Sequence, residues 1–398
     1  MKGKYRIWAG MASAGLTLLA GLVLCVVATS SAAQTFKVLY NFTGGSDGAY
    51  PYGALLRDKA GNLYSTTFEG GASGYGTVYK LDKADKETVL YSFAGGSDGA
   101  NPLAGLTADS SGNFYGTTEG GGTSGVGTVF ELSKKGKESV LYTFTGGTDG
   151  CYPTGELLRD SAGNLYGVTE NCGGSGIYGT LFKLSKNGQF TVLHGFGGYP
   201  SDGAYPSYTA VLMDKAGNIY GITEEGGVAN SGTVYKLSKA GKITILYSFA
   251  GGDLDGCDAF GDPIMDKQGN LYGTTNACTS HSVGMVWKVS QKGKETVLHT
   301  FAGGSSDGAE PMAGVITDAK GNLYGDTYQG GSYGLGTVYK LDKKGTLTLL
   351  HTFDGSDGSY LYAGVIRDAA GNLYGAALDG GTGTGCRNGC GTVWQITK

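Results

Sequence analysis

The chain has 398 residues and a formal net charge of −4, and 76 of its residues are glycine, about a fifth against a typical ~7%. Seven prolines, 27 tyrosines and no strict Gly-X-Y period exclude collagen and a disordered low-complexity chain. Many glycines between short apolar runs call instead for many tight turns, as an all-β fold requires.

At the N-terminus, Lys2, Lys4 and Arg6 precede an apolar stretch from Trp8 to Val27, and Ser31-Ala32-Ala33 offers a cleavage site before Gln34. This predicts a signal peptide over residues 1–33. An uncleaved anchor helix is the alternative, since the apolar run is just long enough to span a bilayer. Cys25 lies within this segment, but Leu24 before it is too bulky for a lipoprotein cleavage site. No second stretch of spanning length follows. The expectation is a secreted, periplasmic or extracellular protein, monomeric and free of the membrane after cleavage. Cleavage leaves 27 basic against 34 acidic residues, a net charge of −7. That argues against nucleic acid as a partner, because phosphates need a basic face.

From residue 34 onward the chain repeats itself. Asp-x-x-Gly-Asn-(Leu/Phe/Ile)-Tyr begins at Asp58, Asp109, Asp160, Asp214, Asp266, Asp318 and Asp368, with spacings of 51, 51, 54, 52, 52 and 50 residues. Gly-Thr-Val-Tyr-Lys-Leu and its variants start at Gly76, Gly127, Gly179, Gly232, Gly284, Gly336 and Gly391. Val-Leu-Tyr-x-Phe and its variants start at Val38, Val89, Val140, Val192, Ile245, Val297 and Leu349. The first complete unit reads as four strands, Ala54–Arg57, Asn62–Thr67, Thr77–Leu81 and Thr88–Phe93, each bounded by turn residues. Asp58 and Gly61 suit a tight hairpin between the first two.

Four antiparallel strands per ~50 residues, seven times over, predict a seven-bladed β-propeller occupying residues 34–398 as one domain. An open β-solenoid is the alternative, but its rungs are shorter and its ends need caps. The segment Phe36–Phe42 copies a fourth strand with no first three before it, and Gly391–Ile396 copies a third strand with no fourth after it. The two fragments make one blade, so the N-terminal strand is expected to pair with Val393–Ile396 and close the ring.

Six cysteines follow the cleavage site, and export favours bridges. Cys151 and Cys172 are 21 residues apart, as are Cys257 and Cys278, at equivalent places in their units. Alternate loops of a meander emerge on one face, so the inter-blade loop and the loop between second and third strands share it. The pairings 151–172 and 257–278 follow, and Cys386 pairs with Cys390. A zinc site at Cys386-x-x-x-Cys390 is the alternative, but no second Cys or His pair has suitable spacing.

That shared face, here the upper one, is where chemistry is sought. Its inter-blade loops carry Asp47, Asp98, Asp149, Asp202, Asp255, Asp307 and Asp357. Its other loops open with Glu69, Glu119, Glu170, Glu224, Glu225 and Asp379. The lower face has lysine-rich turns such as Lys134, Lys135 and Lys137. Repeated aspartates could bind calcium, although Asp before Gly is also the ordinary way to close a turn; no other cofactor is implied. His194, His299 and His351 replace the tyrosine of Val-Leu-Tyr-x-Phe and read as structural, leaving His281 as the one loop histidine. No nucleophile elbow, zincin motif or phosphate loop occurs. Glu156 and Asp262 stand where other units have Ala54, Gly105, Ala210, Gly314 and Gly364. Near a central channel two such carboxyls could act as acid and base, and an exposed strand start accounts for them equally well. Tyr50, Tyr152, Tyr205 and Tyr360 alternate with Asp and Gly near the rim, where they could stack on sugar rings or pack between blades.

Leu90–Gly99, Asp109–Thr118 and Gly127–Leu132 together resemble the gloeo/verruco tandem repeat family of bacterial proteins, and the resemblance covers nearly everything after Gln34. It implies export and a repeated β architecture, with no established activity and no catalytic residues to carry over. Two functions remain in view. The first is a secreted binding or interaction module for extracellular polysaccharide or a cell-surface protein. The second is a carbohydrate-active hydrolase or lyase that uses upper-face carboxylates.

Overall fold

The recurring Asp-x-x-Gly-Asn-x-Tyr string builds the tightest turn of every unit. In the first, Asp58 accepts from the Asn62 backbone N–H at 2.8 Å, from its side-chain amide at 2.7 Å and from the Tyr64 hydroxyl at 3.1 Å. Burial alone would raise the Asp58 carboxyl, but these donors hold it below its usual range. The same set recurs at Asp318, which is held at about 2. The second strand then runs against the third, and the glycine of Leu-Tyr-Gly-Thr lies beside the third strand's aromatic ring. A Cβ on Gly273 would fall 2.4 Å from the Trp287 ring. Here glycine is required for space rather than for an unusual φ.

The computed structural model describes residues 34–174, 176–252, 255–276 and 283–398. The expected signal peptide, Cys25, Cys278 and His281 lie outside them. Seven four-stranded antiparallel sheets follow one another as seven blades of a β-propeller. Blade 1 comprises Leu56–Arg57, Leu63–Thr67, Thr77–Leu81 and Glu87–Ser92. Observed bounds match the expected ones within two residues. Blade 5 differs in its inner strand, which runs from Cys257 to Met265.

Blade 7 is completed by the N-terminus, as its sequence predicts. Thr35–Asn41 pairs antiparallel with Thr392–Thr397, from Thr35 opposite Thr397 to Asn41 opposite Thr392. No helix among the described residues is long and apolar enough to cross a membrane.

Each seam between blades is sealed by an aromatic pair. The phenylalanine ending an outer strand meets the third-strand aromatic of the next blade edge to face: Phe93 on Phe130 at 5.2 Å, Phe144 on Phe182 at 5.4 Å, Phe196 on Tyr235 at 5.2 Å. Phe42 on Tyr79, at 5.1 Å, makes the same contact across the ring closure. A hydroxyl reinforces some seams, with Thr66 and Thr274 each donating at 2.8 Å to a carbonyl, of Ala104 and Ala313, just before the inner strand of the following blade.

The two long loops of each blade do share one face. Ala49 bridges Glu69, Cys151 bridges Asn171 and Ser359 bridges Asp379. Disulfides Cys151–Cys172 and Cys386–Cys390 form as expected. Cys257 is also disulfide-bonded. Alkylation of the unreduced protein, residues 34–398, is expected to label none of its six cysteines by mass spectrometry. A labelled Cys257 or Cys278 would break the 257–278 pairing.

Candidate functional site

The inner strands surround a central channel with a cavity of about 330 Å³. At its waist neighbouring blades approach backbone to backbone. A Cβ on Gly105 would lie 2.7 Å from the Ala54 carbonyl oxygen, and one on Gly314 2.0 Å from that of Asp262. Small residues at most waist positions leave room for Glu156 and Asp262, which both line the cavity. Both residues are half-buried, with protein packed around their carboxyls. Burial, then the charge of Asp262, pushes Glu156 up to about 8. Asp262 is raised by burial as well, although the Ala210 backbone N–H donates to it. Glu156 so placed holds a proton near neutral pH, the state a general acid needs.

Above the waist, three tyrosines roof the channel. Tyr362 of blade 7 lies edge-on to Tyr52 of blade 1 at 5.2 Å and to Tyr208 of blade 4 at 5.5 Å. Tyr208 reaches this position on a local insertion. The Asp160–Asp214 spacing is 54 residues, the longest of the six, and Ser207 is an extra residue before Tyr208. Tyr208 takes a left-handed φ of 51°, its N–H donates to Thr154 Oγ1 at 3.1 Å, and its ring stacks 5.8 Å from Phe260. A bulky residue in that conformation is strained, and such strain gathers at functional sites. Burial, followed by the charges of neighbouring tyrosines and carboxyls, raises all three hydroxyls, Tyr52 to about 12.

None of these three tyrosines was singled out by the sequence pattern. Its candidates Tyr50, Tyr152, Tyr205 and Tyr360 occupy a second ring, each at positive φ between 53° and 58°. Asn101, Asp258 and Glu310 hold the same conformation in the other blades. Each backbone N–H here donates to the preceding blade's long loop, as Tyr205 does to the Tyr178 carbonyl at 3.0 Å. Two signals for the roof were in the sequence. One is the lengthened 54-residue spacing, and the other is tyrosine where other units have Leu103, Thr154 and Met312.

The rim is two-sided. Glu119, Glu170 and Glu224 follow the second strands of blades 2, 3 and 4, where blades 6, 7 and 1 carry Tyr328, Leu378 and Phe68. All three glutamates are half-buried and raised, first by burial. The Glu170 charge adds to the shift at Glu119, and those of Asp258 and Glu170 add at Glu224, which reaches about 7. Glu69, Glu225 and Asp379 lie one position later, and Glu69 is exposed. No lysine or arginine pairs with these rim carboxyls among the described residues.

The seven loop aspartates turn the other way, into their own blades. Asp47 accepts from the Thr43 N–H at 2.8 Å and the Tyr40 hydroxyl at 3.0 Å. Asp98 and Asp149 repeat this with Tyr91 and Tyr142, and Asp255 with Tyr247. Asp202, Asp307 and Asp357 meet His194, His299 and His351 instead. The histidines therefore do the tyrosine's structural work. Where Glu87, Glu138 or Glu295 starts the next blade's outer strand beside such an aspartate, burial and then the aspartate's charge push it up to about 7. No cluster of three or more metal-binding side chains occurs among the described residues.

Solved structures superpose on this chain. The extracellular domain of a proposed one component system from B. thetaiotaomicron superposes with a TM-score of 0.54 at 11% identity, over 90% of this chain. This chain spans only 39% of that protein's length. A proposed 6-phosphogluconolactonase from Bacteroides uniformis gives 0.48 at 16% identity, over 75% of this chain and 83% of that one. A gluconolactonase from Xanthomonas campestris gives 0.43 at 13%, over 87% and 98%. Likeness at such identities concerns the fold alone. No curated protein matches the sequence. The Gloeobacter/Verrucomicrobia repeat model matches residues 9–211 and 207–398, and the chain belongs to that repeat family.

Proposed function

We propose that this propeller is an exported binding module whose upper channel mouth takes an extracellular glycan. One observation carries the reading: the inserted, strained Tyr208 meets Tyr362, which in turn meets Tyr52, over the channel, beside the half-buried Glu119, Glu170 and Glu224. Aromatic faces cover the apolar face of a sugar ring, and carboxyl oxygens accept its hydroxyls. Disulfides in two loops of this face fit an oxidising compartment. The test is a glycan array on residues 34–398, followed by calorimetry on the best ligand. Tyr208→Ala is expected to weaken that ligand by ~10-fold or more, the loss of one stacked ring. Unchanged affinity, or no sugar bound at all, would refute the reading.

The proton-holding Glu156, with Asp262 lining the same cavity, favours a second reading, hydrolysis or lyase cleavage of a bound glycan by acid–base chemistry at the channel waist. Release of reducing ends by the wild type, abolished in Glu156→Gln, is its expected signature. Equal release by both proteins would exclude it.

A further inference from the structure

The lower face collects nearly all of the positive charge. Arg387 apart, every lysine and arginine among the described residues lies in a lower turn or in the strand half that leads to one. An exposed lysine follows the end of the third strand in every blade, from Lys83 in blade 1 to Lys398 in blade 7. The turns that carry these lysines are pinned: the Asn218 side chain accepts from the Lys239 backbone N–H at 3.1 Å, and Asn113 accepts from that of Lys134 at 3.1 Å. Among the described residues, two ion pairs answer this charge, Lys37 with Asp85 and Arg57 with Asp368. Both cross the seam between blades 7 and 1.

Away from that seam the lower ends of blades 5 and 6 leave a groove of about 580 Å³. Lys288, Lys343 and Lys344 line it, together with the apolar Ile264, Leu298 and Leu341. Lys288 Nζ lies 5.5 Å from the centre of the Tyr272 ring, and the Lys343 stem runs over Gly321, where a Cβ would fall 2.6 Å from its Cε. The two carboxylates of the groove are engaged in their own turns. Asp266 accepts from the Asn270 N–H at 2.9 Å and its side-chain amide at 2.7 Å, and Asp342 from the Lys344 and Thr346 N–H groups at 2.8 and 2.9 Å. No ion pair among the described residues joins any of the three lysines to a carboxylate.

From this charge complementarity we infer that the lower face binds an acidic polysaccharide, with a carboxylate-bearing sugar seated in the groove between blades 5 and 6. The lysines take the carboxylates, and the apolar residues cover one face of the ring. This site stands at the opposite end of the propeller from the channel mouth and goes beyond the function proposed there. An anionic membrane fits less well. The large apolar side chains left exposed among the described residues, such as Val228 and Tyr333, belong to the upper loops, so this face has nothing to insert between lipids.

Calorimetry on residues 34–398 at about pH 7 tests the assignment, with galacturonate oligomers as the probe and neutral glucose oligomers, polyglutamate, duplex DNA and anionic phospholipid vesicles for comparison. Galacturonate oligomers are expected to bind ~10-fold or more tighter than any of the four, and to weaken by ~10-fold or more as salt rises from about 50 to ~500 mM. Lys343→Glu with Lys344→Glu is expected to remove at least ~10-fold of that affinity at an unchanged melting temperature, and Lys343→Gln with Lys344→Gln to remove less. Tyr208→Ala is expected to leave it intact. Equal binding of the neutral oligomers overturns the role of charge, and equal binding of polyglutamate, DNA or vesicles overturns the sugar. Loss of galacturonate binding in Tyr208→Ala, with both lysine variants binding normally, would move the ligand to the channel mouth and overturn the lower site, as would no binding at all.

Discussion

Residues 44–398, lacking the first strand, are expected to melt more than ~10 °C below residues 34–398, or to show no cooperative transition. The deleted segment supplies the whole outer strand of blade 7 and its pairing with Thr392–Thr397. It also supplies the fully buried Phe42, which seals the seam to blade 1 against Tyr79, and Phe36, which packs beside Phe353 and Trp394. Burying a phenylalanine contributes ~1.5–3 kcal/mol before any strand pairing is counted. The loss therefore reaches the scale of a domain's total stability, ~5–15 kcal/mol. The seam alone can be tested in the full-length ring. Phe42→Ala leaves the strand in place and is expected to cost about 3–5 kcal/mol, measured by urea unfolding. A truncated chain that melts like the longer one would mean the ring does not depend on this closure.

Replacing Asp326 by threonine is expected to stabilise the protein at about pH 8 by on the order of 3 kcal/mol, and far less at about pH 4. Asp326 is fully buried in the second strand of blade 6, and neither carboxyl oxygen has a hydrogen-bond partner. Units 1 and 5 place Thr66 and Thr274 at this position, where the hydroxyl donates to the next blade. A carboxylate cannot donate, whereas a neutral acid can. Burial pushes Asp326 from the ordinary 3.8 up to about 7. No charged side chain contributes to that shift, and the buried Tyr339 hydroxyl on the adjacent third strand feels the Asp326 charge.

The sign of the pH effect follows from that rise. Between about pH 4 and 7 the folded protein keeps a proton that the unfolded chain has released. This contribution is complete below the unfolded value, is lost as pH rises through about 7, and is flat above. Urea midpoints of wild type and Asp326→Thr at the two pH values check it. A gap of equal size at both would show that the carboxyl is not the cause.

Local regularity made much of this molecule legible. A residue repeated seven times is present for the blade, and so the Asp58-type turns, the strand bounds and the Cys151–Cys172 bridge could all be placed from spacing. The aspartates of the upper loops illustrate the limit. Spacing puts Asp47 on the correct face, but only the folded chain shows its carboxyl turned onto Thr43 and Tyr40 rather than toward solvent. Glu119 and Glu69 look alike as loop-opening acids. One residue of offset separates them across a pleat, leaving Glu119 half-buried and Glu69 exposed.

By itself the sequence determined the seven-bladed ring, its closure by the N-terminal strand and the face that carries the long loops. These depend on contacts within a unit and on the count of units. Only the tertiary structure decided that Tyr52, Tyr208 and Tyr362 meet, because residues more than 150 apart come together only when the ring closes. It also decided that Glu156 and Asp262 share one narrow waist, where burial raises the proton affinity of two ordinary carboxyls.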